Sequence, residues 1–453
     1  MKERFLLFFI LVALWTFLYV FQYHVDTIRG LIILMCFMVL YGVYNSLAIW
    51  HNKRKLKKNP IEPNSSYQPF VSIMIPAHNE ESVIEYTVNN VQALTYPHFE
   101  IILIDDRSTD KTLDVIKHLA DKYDNVKYLH RDEGAFPGKS AVLNDAFVLA
   151  NGDAILVFDA DATVEPDFLN KLINCLAPDD VGAVQARKVI REPDTNILTK
   201  CQNNEYTLDT YLQVGRDAIK GAVELRGNGE LIKRKALEDI GGWNNYTITD
   251  DLDMSTRLHI KGWDVRYCLD AVVVEEGVKY IVPLFRQRRR WLEGTIRRYL
   301  EYFFPAVFSK EMSLRAKLDM VIYITQFIMP LWFLFEIIIR SFKVLTHKVG
   351  GIQNEIVSSV FISFAVAFGF FYAIRYSLRR YGNMNCWQAI KHASYTACYM
   401  LIIWFPMVLY ICAKILFRPK DMRWGKTTHG LIIEEEQNME LAKEKDLHEV
   451  EKC

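Results

Sequence analysis

The sequence predicts an α/β domain with a mainly parallel sheet, flanked by transmembrane helices. Three observations carry that expectation. Short β-rich runs alternate with helical ones from about Phe70 to Glu276, the pattern of βαβ units. Long apolar runs bracket that stretch on both sides. Between the first bracket and the domain lies a dense basic run, His51 to Lys58.

Phe5 to Tyr23 and Gly30 to Trp50 are each about long enough to cross a bilayer. The first lacks a small-residue cleavage site and is followed at once by the second, so residues 1–50 read as a membrane hairpin rather than a removed signal. The basic linker, 51–69, places the α/β domain in the cytoplasm by the positive-inside rule. In the domain itself, 70–280, Val71–Ile75, Ile101–Ile104 and Ala154–Phe158 read as strands, with helices over Ser82–Leu94 and Lys111–Tyr123. Parallel sheets of this kind bind ligands at the carboxyl ends of their strands. Residues 281–310 read as interfacial helices. Residues 311–417 form a C-terminal transmembrane region with apolar runs at Leu318–Ile339, Ile356–Ile374 and Ser394–Phe417, two of them interrupted by Pro330 and Pro406. The charged stretch 418–453 is a tail. Three crossings after a cytoplasmic domain would carry that tail outside, whereas its basic Arg423–Gly430 wants the inside, so one late segment is expected to be interfacial or re-entrant.

The bulk composition agrees with a mixed membrane and soluble chain: 51% hydrophobic and 24% charged, with 54 basic and 54 acidic residues. The even balance gives no reason to expect nucleic acid as a partner. Eight cysteines include no C-x-x-C pair, which argues against zinc and against a disulfide framework.

The chemistry-bearing residues fall at predicted strand ends. The first strand runs into Pro76-Ala77-His78-Asn79-Glu80, and the second into Asp105-Asp106 and then Asp110. Asp105 and Asp106 can accept hydrogen bonds from a base or ribose, while Asp110, before a helix, reads as a cap. Asp159 and Asp161 are spaced i, i+2 where the third strand leaves the sheet, so both can reach one Mg²⁺ or Mn²⁺. Thr249-Asp250-Asp251 opens a helix over Leu252–Lys261, and a carboxylate there suits a general base. The competing account is simple capping by Thr249. Gln287, Arg290 and Trp291 precede the next span. The arginines can sit at headgroups with Trp291 in the aromatic belt, and Arg290 can neutralise a leaving diphosphate while Trp291 walls the acceptor site; the two readings are compatible.

Taken in this order, the five motifs resemble the membrane-bound family-2 glycosyltransferases, a group that includes cellulose, hyaluronan and poly-N-acetylglucosamine synthases. The resemblance runs from about Phe70 to Tyr302. It implies a GT-A type nucleotide-sugar-binding domain, a UDP-sugar donor, a divalent cation, inversion at the anomeric carbon and a place in the bacterial inner membrane. Carried over, Pro76, Ala77, Asn79, Glu80, Asp105, Asp106, Lys139, Asn144 and Asp159 would hold the nucleotide-sugar, and Asp161 with Asp159 the metal. Asp251, beside Asp250, would be the base; Gln287, Arg290 and Trp291 would clamp the acceptor and leaving group. Asp250 departs from the glutamate many relatives carry. Glu224-Leu-Arg-Gly-Asn-Gly-Glu230 and Gly241-Gly-Trp-Asn244 further resemble the cyanobacterial monoglucosyldiacylglycerol synthases, which implies a lipid acceptor such as diacylglycerol. A processive polysaccharide synthase, with a growing glycan as acceptor, is the alternative. The complete acidic set speaks against a catalytically silent scaffold.

Overall fold

The computed structural model describes residues 2–24, 40, 42–44, 46–54, 66–346, 352–418 and 420. The second predicted span lies mostly outside the described residues, and Arg423–Gly430 lies wholly outside them.

The α/β domain is built on one eight-stranded sheet in the order β3-β2-β1-β4-β7-β6-β8-β5. Its strands are β1 (Val71–Ala77), β2 (Phe99–Asp106), β3 (Val126–Arg131), β4 (Ala154–Val157), β5 (Thr163–Val164), β6 (Val181–Ile190), β7 (Glu230–Lys233) and β8 (Asp264–Glu275). Strands β3, β2, β1 and β4 pair in parallel, and β7 runs antiparallel between β4 and β6. Every residue of β1 is buried, because it is central and covered on both faces.

One face carries α2 (Ile84–Gln92), α3 (Thr112–Lys122) and α5 (Phe168–Leu176), whose Ile84, Val88, Ile116, Leu119, Leu172 and Leu176 pack on Ile73, Leu103 and Leu156. The other carries α4 (Lys139–Phe147), α7 (Arg234–Asp239) and α8 (Asp250–Ile260), with Val142, Leu237, Met254 and Leu258 against Met74, Ile155 and Ile232. The sequence-derived strands and helices fall within two or three residues of these bounds. A long helix, α6 (Ile197–Ala218), leaves β6 and starts from a capping box between Asn196 and Thr199.

Residues 281–308 form a single 28-residue helix, α9 (Ile281–Phe308), rather than several interfacial ones. It is followed by α10 (Leu314–Thr346), α11 (Ile352–Tyr381) and α12 (Cys386–Phe417). Two described helices contain stretches long and apolar enough to cross a membrane: Glu3–Val20 in α1 (Lys2–His24), and α12 itself. Leu7 of α1, Leu284 and Leu292 of α9, and Ile403, Met407 and Ile411 of α12 share one buried cluster.

Polar ties bind this helical layer to the sheet. Arg187 of β6 donates to Tyr381 O at 2.8 Å, Asn204 of α6 donates to Thr396 Oγ1 at 2.8 Å, and Arg216 pairs with Asp319 at 2.8 Å. Glu3 of α1 pairs with Arg297 of α9 at 2.5 Å, and Lys414 near the end of α12 pairs with Glu293 of α9 at 2.5 Å.

Candidate active site

The carboxyl ends of β2, β1 and β4 bring the first acidic residues together, as parallel pairing requires. Asp105 is fully buried; Oδ2 lies 2.7 Å from His130 Nδ1 and Oδ1 has no partner. Asp106 is also buried, and both its oxygens accept from guanidinium groups: Oδ1 from Arg131 at 2.6 Å, Oδ2 from Arg107 at 2.8 Å. Asp106 thus anchors two arginines, and Arg131 in turn holds the following loop by donating to Phe136 O at 2.7 Å. Pro76 and Ala77 end β1 as buried residues. Asn79, at φ 54°, laces this turn to the next: Thr109 N–H donates to its Oδ1 at 2.7 Å, and its own N–H donates to Ser108 Oγ at 2.9 Å. The buried Glu80 donates its N–H to Thr112 Oγ1 at 2.8 Å.

Asp110 accepts from Thr112 N–H at 3.0 Å in the first turn of α3, the capping role expected of it. Thr249 does not cap. It occupies the N-cap position of α8, yet its hydroxyl makes no cap bond and has no partner. The simple-capping account of Thr249-Asp250-Asp251 therefore fails.

Lys139, opening α4, links the two halves of the site. Its ammonium donates to Asp159 Oδ1 at 2.6 Å and to Gly227 O at 3.0 Å, and the surrounding carboxylates, chiefly Asp159, raise its pKa against the opposing pull of burial. Gly227 sits at φ +81°, and a Cβ there would lie 3.2 Å from Asp251 Oδ2, so the glycine lets this loop close over the carboxylate. Asp251 accepts from Leu252 N–H at 2.8 Å. Burial, and then the neighbouring Asp250, push its carboxyl up to about 6. Asn144 is committed to the next loop: it donates to Trp243 O at 2.8 Å and accepts from Trp243 N–H at 2.9 Å.

Asp161 is buried and accepts from Glu276 N–H at 2.8 Å. Asp159 is half-exposed, and its N–H donates to Asn228 Oδ1 at 3.2 Å. The pair suits Mg²⁺ or Mn²⁺: two hard carboxylates, one open to solvent, with no convergence of three or more His, Cys, Asp or Glu among the described residues. That is the donor set of an ion that takes its remaining ligands from phosphate and water. Next to Asp161, Glu275 pairs with Lys188 at 2.8 Å and accepts from Tyr206 Oη.

Lys188 leads to the clamp. Its ammonium stands 5.7 Å from the centre of the Trp291 ring, and the Arg288 guanidinium 4.2 Å from it. Arg288 is fully buried and reaches Glu205 of α6 at 3.0 Å while also donating to Gln287 Oε1 at 2.7 Å. Arg288 therefore faces α6, not lipid, while Arg289, Arg290 and Trp291 stay partly exposed; Trp291 lies within reach of two cations. Gln287 and Arg290 are half-buried on the same helix, Arg290 with no ion pair among the described residues. Sequence reasoning gave no role to Arg288, Lys188 or Glu275, although Val181–Lys188 and Glu275–Val278 also resemble the monoglucosyldiacylglycerol synthases. Glu205 and Tyr206, which Arg288 and Glu275 engage, lie on α6, far from either in the chain.

The family described as "Glycosyltransferase like family 2" matches residues 68–294. A beta-monoglucosyldiacylglycerol synthase of Nostoc sp. is 37% identical over 364 residues, which are 80% of this chain and 76% of that protein. A poly-beta-1,6-N-acetyl-D-glucosamine synthase of Staphylococcus epidermidis is 28% identical over 282 residues, 61% of this chain and 68% of that protein. Among solved structures, a mannosyltransferase of Pyrobaculum calidifontis in complex with GDP-Man and Mn2+ matches with a TM-score of 0.57 at 20% identity, covering 83% of this chain and 99% of that one. At that identity the likeness speaks for the fold, a GT-A domain.

Proposed function

Because the chain belongs to glycosyltransferase family 2, we propose that it transfers glucose from UDP-glucose to diacylglycerol, with inversion at the anomeric carbon. The observation that carries this reading is the reach of the match to the Nostoc glucolipid synthase, which over 364 residues extends well beyond the 68–294 family segment. A likeness confined to the catalytic domain would speak only for sugar transfer. One that runs well past that domain speaks for the acceptor side too.

The chemistry is a single in-line displacement. Asp251, at the N-terminus of α8, removes the proton of the acceptor hydroxyl as that oxygen attacks the anomeric carbon. Arg290, engaged by no anion among the described residues, meets the departing diphosphate. Asp159 and Asp161 would hold Mg²⁺ or Mn²⁺, which when bound neutralises charge on that diphosphate. Lys139 keeps Asp159 beside the Gly227 loop, so the donor end and the base stay in register. Trp291, stiffened by Lys188 and Arg288, walls the acceptor. The reading makes the chain an integral protein of a bacterial inner membrane with its α/β domain in the cytoplasm. The Glu3–Arg297 and Lys414–Glu293 pairs support it, since they hold the start of α1 and the end of α12 on the side of the catalytic domain.

The test is to supply purified full-length protein in lipid with labelled UDP-glucose and, separately, UDP-N-acetylglucosamine. A single labelled glycolipid from UDP-glucose and diacylglycerol is the expected product. A long water-soluble polymer would defeat the lipid reading in favour of a processive synthase.

A further inference from the structure

Glu230 opens β7 in the middle of the sheet, paired with Val157 of β4 on one side and Gln185 of β6 on the other. Two residues on, Ile232 belongs to the core under α4 and α8, so by the alternation of a strand Glu230 points to that same face. There the helices begin, α4 with Lys139 and α8 with Asp250 and Asp251. Glu230 is fully buried, and neither carboxyl oxygen has a hydrogen-bond partner. Asp250 Oδ2 is a third buried oxygen without a donor. Such orphans are costly, and buried carboxyl oxygens at the start of β7 and of α8, on one face of the sheet, call for a proton on one of the acids.

The charges acting on Glu230 are Asp250 and Asp251 from α8, Lys139 from α4 and Asp159 from the end of β4. Three of these four are anionic, and Lys139 already serves Asp159. A second carboxylate cannot donate to Asp250, whereas a neutral acid can. Burial, reinforced by Asp250, lifts the Glu230 carboxyl well above the usual range, in agreement with that requirement.

We propose that Glu230 is a positioning residue for the catalytic base: as a neutral acid sealed beneath the two helix N-termini, it donates a hydrogen bond to Asp250 and so fixes the Asp250–Asp251 pair. The assignment rests on the transferase reading of the site. Glu230 touches no substrate. It spreads the charge of Asp250, which lets Asp251 ionise beside it, and it holds the first turn of α8 to the sheet.

The experiment compares Glu230→Gln and Glu230→Leu in the full-length protein in lipid. It reads kcat and KM for UDP-glucose across pH, together with the infrared carbonyl band of a protonated carboxyl group. Glutamine keeps the donor, so Glu230→Gln is expected to stay within about 3-fold of wild-type kcat, with its acid limb unmoved. Leucine removes the donor. Glu230→Leu should lower kcat about 10-fold, leave KM for UDP-glucose unchanged and move the acid limb upward. The protonated-carboxyl band should be present in the wild type near neutral pH and lost in Glu230→Gln. Equal losses in both variants, an effect on KM alone, wild-type behaviour of both, or absence of the band would each overturn the proposal. Should no form of the protein transfer glucose, the transferase reading falls instead, and the infrared band still decides the state of Glu230 because it needs no turnover.

Discussion

The two halves of the active site are assembled in opposite ways. On the donor side, every partner lies within the α/β domain, whether near in the chain or far: Asp105 and His130 are 25 residues apart, Asp106 and Arg131 also 25, Lys139 and Asp159 20, but Lys139 and Gly227 88 and Asp161 and Glu276 115. The short-range pairs join adjacent strand ends or a strand end and its helix. On the acceptor side, Glu205 and Arg288 are 83 residues apart, Glu293 and Lys414 are 121, Arg187 and Tyr381 are 194, and Glu3 and Arg297 are 294. A site whose partners all lie inside the α/β domain can form with that domain alone. The clamp on α9 requires α6, α12 and α1 to be in place first. The donor half is thus a property of the fold, and the acceptor half a property of the fold docked on its apolar helices.

The base stands where the halves meet, so its loss is expected to have the largest effect. Asp251→Asn should lower kcat by about 100-fold or more while UDP binding persists, as measured by turnover and by calorimetric titration with UDP. Near-wild-type turnover would move the base elsewhere. The acidity of the same group sets a pH dependence. With the carboxyl at about 6 in the folded protein, the anion is the working form, and activity should fall about 10-fold from its plateau as pH drops to about 5. Stability runs the other way. Raised above its ordinary 3.8, this carboxyl favours the fold below that value, and the contribution is lost as pH climbs through about 6.

If the acceptor half depends on docking, Arg288→Ala should damage it selectively. The change leaves Glu205 with the Tyr399 hydroxyl but no cation and loosens Trp291, and breaking a buried pair of this kind costs about 3–5 kcal/mol. A lowered unfolding midpoint and a raised KM for the lipid acceptor are expected, with UDP affinity intact. Arg288→Lys, which keeps the charge without the two-nitrogen contact at 3.2 and 3.0 Å, should recover part of both. Equal loss of UDP binding would show that the halves are not separable.

The same contrast explains what the sequence revealed. The placement of Asp159 and Asp161 after β4 and of Asp251 at the start of α8 was legible because strand ends and helix starts are local signals. Five spans were expected; helices α1, α10, α11 and α12 lie over four of those runs, and of these α1 and α12 hold described stretches long and apolar enough to cross a membrane. Arg288 was hidden because burial depends on α6, which is far away in the chain. Gly294 was hidden for a like reason. A Cβ there would lie 2.4 Å from Thr249 Cγ2 and 2.6 Å from its Oγ1, so this glycine lets α9 press directly on the start of α8. Gly294→Ala should overpack the contact by about 1–3 kcal/mol and lower kcat several-fold through the displaced base. Thr249→Ala in the same chain removes both crowding atoms and a hydroxyl that bonds to nothing, and should restore most of the loss. Failure of that rescue would separate the seam from the catalytic effect.

The smallest effect belongs to Asp110, at the start of α3. Asp110 accepts from the N–H and the hydroxyl of Thr112, at 3.0 and 2.6 Å, and Thr112 Oγ1 in turn receives the Glu80 N–H. Asp110→Ala should cost about 1 kcal/mol of stability, the loss of one helix cap, with kcat and acceptor KM unchanged. Asp110→Asn keeps an acceptor oxygen and should recover most of that in a thermal melt. A donor KM raised by more than about 3-fold in both variants would mean that the lacing between Glu80 and α3 shapes the nucleotide pocket, and that even the local half of the site transmits strain from turn to turn.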